Sequence, residues 1–100
     1  MDSFEAQKMS GEDLDLGIAW RTLSPDSWLS PYETITTSSW SIDPQYDDGQ
    51  LSLYQTDFTP NGAVAWIRGG TRGFIYRIMN RITSSGGRTG IRWVDLYITS

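Results

Sequence analysis

Apolar side chains in this chain recur with a period of two, in short runs closed by glycine, proline and Asn/Asp turns. No interior stretch carries the 3.6-residue period of a helix. The clearest run is GFIYRIMNRIT, residues 73–83. One face holds Phe74, Tyr76, Ile78, Asn80 and Ile82; the other holds Ile75, Arg77, Met79, Arg81 and Thr83. A strand with one apolar face and one arginine-bearing face predicts a sandwich, with one side against a second sheet and the other toward water or a partner. The SSGGR that follows predicts a hairpin into a last strand over residues 89–99. There Val94, Leu96 and Ile98 share one face and Trp93, Asp95 and Tyr97 the other.

The same reading makes strands of residues 16–20 (LGIAW), 33–42 (ETITTSSWSI), 51–57 (LSLYQTD) and 63–68 (AVAWIR). Ile35 and Trp40 differ in parity, which predicts a bulge or twist near Thr37 and Ser38. Val64 and Trp66 share a face, and Trp40 and Trp66 are assigned to the core. Two Ser-Pro pairs push residues 21–33 into an extended connection, with Trp28 and Leu29 plugging one end of the core. Asn80 is expected near a sheet edge, bonded to turn backbone. Tyr76, shortly after GGTRG, resembles the tyrosine corner of immunoglobulin-like sandwiches. The expected fold is all-β: a single Ig-like or fibronectin-III-like β-sandwich of about seven strands over residues 15–100. An extended N-terminal arm, residues 1–14, precedes it. The arm is polar and acidic, with a short helix conceivable over residues 3–9 and Phe4 as its anchor on a partner.

Composition narrows the chemistry. The chain has no Cys and no His, which removes thiolate chemistry, charge-relay triads and ordinary zinc sites. No apolar run approaches a membrane span, and the acidic start lacks the features of a signal peptide, so folding in a cytoplasm is expected. Charge is split along the chain. Residues 1–60 hold eleven acids against Lys8 and Arg21; residues 61–100 hold six arginines against Asp95. Opposite halves attract within a fold or between neighbouring copies.

Each motif has a plain reading beside its functional one. Arg68-Gly69-Gly70 is a single RGG in a turn, unlike the repeated disordered tracts that bind RNA. The GGTRG and GGRTG clusters lack the phosphate-loop pattern. Asp43, Asp47 and Asp48 are too thin a set for calcium and read as a solvated turn. Nothing places two carboxylates across a cleft, so no catalytic residue is assigned and an enzyme is not expected. Trp93 and Tyr97 read as exposed aromatics, which mark protein interfaces and also sugar-stacking platforms.

The pieces DLGIAW, WL, ETITTSSWSI and AVAWIRGGTRGFIYRIMNRITSSGGRT together resemble a family of small tailed-bacteriophage virion proteins, the fibre–tail adaptors. The resemblance covers roughly residues 13–100 and is most specific in the GGT…Y…N-x-I-T run. It departs at residues 1–14, at LSPDSWLSPYE and at DPQYDDGQLSLYQTDF, the places where a partner-specific surface would be built. The resemblance implies a virion part assembled in the host cytoplasm in multiple copies at the tail or neck. Its partners would be other copies of itself and tail, portal-adaptor or fibre proteins. No cofactor, nucleic acid or membrane is implied. The charge split adds an expected contact between copies: Arg68, Arg72 and Arg88 of one opposite Asp13, Asp47 or Asp48 of the next. Two alternatives stay open, a surface module binding host glycans through Trp93 and Tyr97, and a capsid decoration protein.

Overall fold

The computed structural model describes residues 3–9, 11–22 and 27–99; the side chains of Ser3 and Phe4 lie outside the described residues. The described elements are seven strands and one 3-10 turn: β1 (Ser3–Met9), β2 (Leu14–Ala19), β3 (Ile35–Ile42), a 3-10 turn (Pro44–Tyr46), β4 (Leu51–Phe58), β5 (Gly62–Gly69), β6 (Ile75–Ser84) and β7 (Thr89–Thr99). They form two sheets, ordered β1-β7-β6-β3 and β2-β5-β4. Every pairing is antiparallel except β1 on β7, which runs parallel from Ser3 opposite Trp93 to Met9 opposite Thr99. The expected helix over residues 3–9 is therefore a strand. Its sequence SFEAQKM alternates only weakly: Ala6 packs against the core, but the next inward position is Lys8, at 2% exposure, where an apolar residue would have marked the strand.

The core lies between the sheets. Tyr76, Ile78, Ile82, Val94, Leu96 and Ile98 face Ile18, Leu51, Ala63 and Ile67, all at most 7% exposed. One assignment inverts: β5 turns Ala63, Ala65 and Ile67 inward, while Val64 and Trp66 face outward and are half-buried. Small residues are needed there because large side chains from the facing sheet already fill the interior. Trp40 is half-buried against the core, and its indole N–H is the buried side-chain polar atom without a partner among the described residues. The parity change in β3 comes from a bulge between Ile35 and Thr37, one residue earlier than the expected site.

One end of the sandwich is closed by Trp20, which is fully buried and meets Trp28 edge-on at 5.1 Å, with Leu29 beside it at 2% exposure. Gly90 makes this possible: a Cβ there would lie 2.8 Å from both indole rings. Asn80 is not at an edge. It is 0% exposed, accepts from the Trp20 indole N–H at 2.8 Å and donates to the Ser38 hydroxyl and the Ser39 carbonyl, each at 3.0 Å. It therefore ties the two sheets together beside the closed end of the core, where a buried polar group must be fully paired to be tolerated.

Candidate partner interface

The strand period puts odd-numbered residues of β6 and β7 on the outer face of the four-stranded sheet. Cross-strand register sets Ile75 against Tyr97, Arg77 against Asp95, Met79 against Trp93 and Arg81 against Ile91. Ile75 and Ile91 are exposed at 42% and 44%, and Trp93 and Tyr97 are half-buried. At the centre Arg77 donates through Nε to Asp95 at 2.9 Å and stacks on the Tyr46 ring at 4.8 Å. The pair raises the Arg77 pKa and holds the guanidinium in place. β1 extends the face with Glu5 opposite Asp95 and Gln7 opposite Tyr97. Aromatic, apolar and arginine side chains are thus interleaved on one broad sheet surface, the composition that distinguishes protein interfaces from ordinary surface. With the inner face apolar, the arginines Arg77 and Arg81 of β6 keep the outer face wettable.

The remaining predicted site residues are scattered, and most of their charges are used within the chain. Arg68 forms a forked pair with Asp13 through Nε and Nη2, at 3.2 and 3.0 Å, and lies 4.2 Å over the Tyr54 ring. The arginine holds the Asp13 carboxyl below its ordinary range. Arg88 pairs with Glu33, donates to the Trp28 carbonyl at 2.7 Å and stacks over the Trp28 ring. Asp48 accepts from the Tyr76 hydroxyl at 2.7 Å and the Thr71 hydroxyl at 2.5 Å, and these bonds lower its pKa. Asp47 accepts from the Gly49 N–H at 2.9 Å and so closes its own turn. Of the arginines expected opposite Asp13, Asp47 or Asp48 of a neighbour, Arg68 holds Asp13 and Arg88 holds Glu33 within their own chain. Arg72 sits exposed in its turn with no ion pair among the described residues. The backbone of Phe4 pairs opposite Val94; its anchoring role falls outside the described residues.

Tyr76 is fully buried; its hydroxyl accepts from the Thr71 N–H at 2.9 Å while donating to Asp48, and burial pushes its pKa up. Glu33 was not anticipated as a fixed group. It takes bonds from Arg88, the Ser84 hydroxyl and the Ser30 N–H, which hold its carboxyl far below the usual glutamate range. Arg92 was also missed. It lies on the inward face of β7, 4.2 Å over the Trp20 ring, and donates to the Ala19 carbonyl at 3.0 Å. Its even number, shared with Val94 and Leu96, was the available signal. Among the described residues no three acidic side chains gather as a metal site, and no helix is long and apolar enough to cross a membrane.

Comparison with known proteins gives two findings. The profile of the family Gp77, described as podophage GP4 fiber-tail adaptor protein gp77, matches residues 8–97. Among solved structures, a 2,6-sialyltransferase of Vibrionaceae Photobacterium sp. JT-ISH-224 superposes with a TM-score of 0.64 at 14% identity. The superposition covers 99% of this chain but only 18% of that one, and at this identity it speaks to the fold alone. No curated protein sequence matches the chain.

Proposed function

We propose, since the chain belongs to the podophage GP4 fiber-tail adaptor family and is thereby a tail-adaptor component of a phage virion, that it joins the tail or portal-adaptor ring to a fibre as a non-enzymatic part present in multiple copies. The observation that carries this reading is the family match across nearly the whole chain. The outer face of the four-stranded sheet gives the reading a surface. Trp93, Met79, Tyr97, Ile75 and Ile91 supply apolar contact, while Arg77 and Arg81 supply directional bonds. The mechanism is assembly. The two sheets, cross-tied by Asn80, form a rigid body that holds this face flat for a partner. Little ordering of that face is then needed on docking. A contact between unlike surfaces of successive copies closes into a ring when the rotation allows it.

The sandwich is read here as Ig-like. What supports this is the order of its strands. Setting β2, β5 and β4 beside strands B, E and D, and β3, β6 and β7 beside C, F and G, reproduces the Ig arrangement. The first strand then lies on G.

The test is a phage lacking this gene, grown with the protein supplied in trans. Particles made without it are expected to keep their capsids and lose their fibres. Supplying a Trp93→Ser, Met79→Ser variant that retains its β-sheet circular dichroism should lower fibre attachment by about thirtyfold or more, the loss typical of a central aromatic anchor. Fibres present at normal number on particles without the protein would overturn the reading. Saccharide binding by the purified domain would favour a glycan-binding module instead.

A further inference from the structure

Asn-Gly occurs once in the chain, at Asn61 and Gly62. Asn61 is exposed in the turn between β4 and β5, and Gly62 opens β5. The dipeptide carries a chemistry of its own. Glycine has no side chain to shield its amide nitrogen, so that nitrogen can approach the Cγ of the asparagine before it. The bond from Gly62 N to Asn61 Cγ forms, the Cγ–Nδ2 bond breaks, and the amide proton leaves with the side-chain nitrogen as ammonia. The product is a five-membered cyclic imide. Water then adds to one of its two carbonyls and opens the ring. One opening gives aspartate. The other gives isoaspartate, in which the main chain runs through Cβ and Cγ and is one carbon longer. Either opening exchanges a neutral amide for a carboxylate.

The fold holds Asn61 at each group that would have to move. Ring closure needs rotation about its Cα–C bond, to bring the Gly62 nitrogen toward the side chain, and about its Cα–Cβ bond. The Asn61 carbonyl turns with the first rotation, and it accepts from the Trp20 N–H at 3.0 Å and the Arg21 N–H at 2.9 Å. Its Oδ1 moves with the second, and it accepts from Arg21 Nε at 2.6 Å. Its N–H donates to Thr59 Oγ1 at 3.3 Å. Arg21 is itself fixed, because its other nitrogens donate to the carbonyls of Ser30 and Glu33. Gly62 lies close against β2: a Cβ there would come within 2.9 Å of the Ile18 carbonyl oxygen.

We infer that Asn61–Gly62 is a self-modification site, latched shut by Arg21 in the folded chain and released when this end of the sandwich opens. The reaction is intramolecular attack of a backbone amide on a side-chain amide, with water as the co-reactant. A guanidinium on Oδ1 also draws electrons from Cγ, but the attacking nitrogen stays away while the Asn61 carbonyl is held. The rate therefore follows the population of the locally open state. The site lies where its modification is felt. The Asn61 carbonyl ends the pairing of β2 beside Trp20, the residue that closes the core. Isoaspartate displaces that carbonyl and lengthens a turn whose glycine must still pass close to β2. The turn then does not close again in its original form, and a reversible opening becomes a permanent one.

The experiment incubates the purified full chain in mildly alkaline buffer, folded and in guanidinium chloride. The peptide spanning Asn61 and Gly62 is followed by mass spectrometry for the gain of one mass unit, and by isoaspartate methyltransferase labelling. Wild type should react about a hundredfold or more slowly when folded than when unfolded. Arg21→Gln should raise the folded rate about tenfold or more, and Thr59→Val, which frees only the Asn61 N–H, should raise it less. Should Arg21→Gln not fold, Arg21→Lys, which keeps the charge and loses the Nε donor, is read in its place. Ile67→Val is the control: it trims the core between the sheets, leaves the turn untouched and should stay within about threefold of wild type. Folded wild type reacting as fast as the unfolded chain would overturn the inference, as would an arginine variant at the wild-type rate. Ile67→Val reacting as fast as the arginine variant would also overturn it, because the rate would then follow global unfolding and not the latch.

Discussion

Replacing Asn80 by leucine should destabilise the domain far more than the similar size of the two side chains suggests. Asn80 is fully buried and serves three partners, the Trp20 indole N–H and two groups on β3. With leucine in place, the Trp20 donor has no acceptor in the closed end of the core, a loss of roughly 1–3 kcal/mol. The Ser39 carbonyl loses its side-chain donor and adds a smaller amount, while the Ser38 hydroxyl can rotate to another acceptor. Added apolar burial returns roughly 1 kcal/mol. The net loss is about 1–3 kcal/mol, which for a domain of this length lowers the melting temperature by about 5–25 °C. Urea unfolding followed by tryptophan fluorescence should show a lower midpoint at an unchanged slope. Pairing the change with Trp20→Phe removes donor and acceptor together. The double variant should therefore be about 1–2 kcal/mol more stable than the sum of the single losses. A single variant within about 0.5 kcal/mol of wild type, or strict additivity in the double, would refute the reasoning.

Three further outcomes follow from the same geometry. Trp40→Phe removes a buried N–H that has no partner among the described residues, so it should cost less than about 1 kcal/mol where Trp20→Phe costs more, read from the same urea curves. Glu33 has its pKa depressed by Arg88, Ser84 and the Ser30 N–H, so its stabilising effect is complete above the ordinary value of 4.5 and fades as pH falls below it. Melting temperature should therefore drop more steeply with acid in wild type than in Glu33→Gln, and parallel slopes would deny these bonds a stabilising role. Gly90→Ala forces a methyl group against both Trp20 and Trp28 and should destabilise by about 1–3 kcal/mol, visible as altered tryptophan fluorescence and a lower midpoint.

The strands that alternate cleanly were legible in the sequence for a physical reason. In β6 and β7 one face is buried by large aliphatic residues, so period two is visible and the turn glycines fix the hairpin. In β5 the pattern AVAWIR pointed to the wrong face, because the core there needs alanine and the tryptophan is displaced outward. β1 carried only a weak signal, since the buried Lys8 interrupts the inward face that Ala6 shares. The charge split is seen within the fold, where Arg68–Asp13 and Arg88–Glu33 each join an arginine of the second half to an acid of the first. The face bearing Trp93 and Tyr97 could be read from their shared parity. The hold of Arg21 on Asn61 could not, because it joins residues forty apart that no local pattern brings together.

A cryo-electron-microscopy map of the mature particle tests the central claim most directly. The account predicts density for this sandwich between tail and fibre, in several copies, with the Trp93–Tyr97 face of the four-stranded sheet covered by a neighbouring chain. Density for it on the capsid surface, or at the tail with that face open to solvent, would contradict the account.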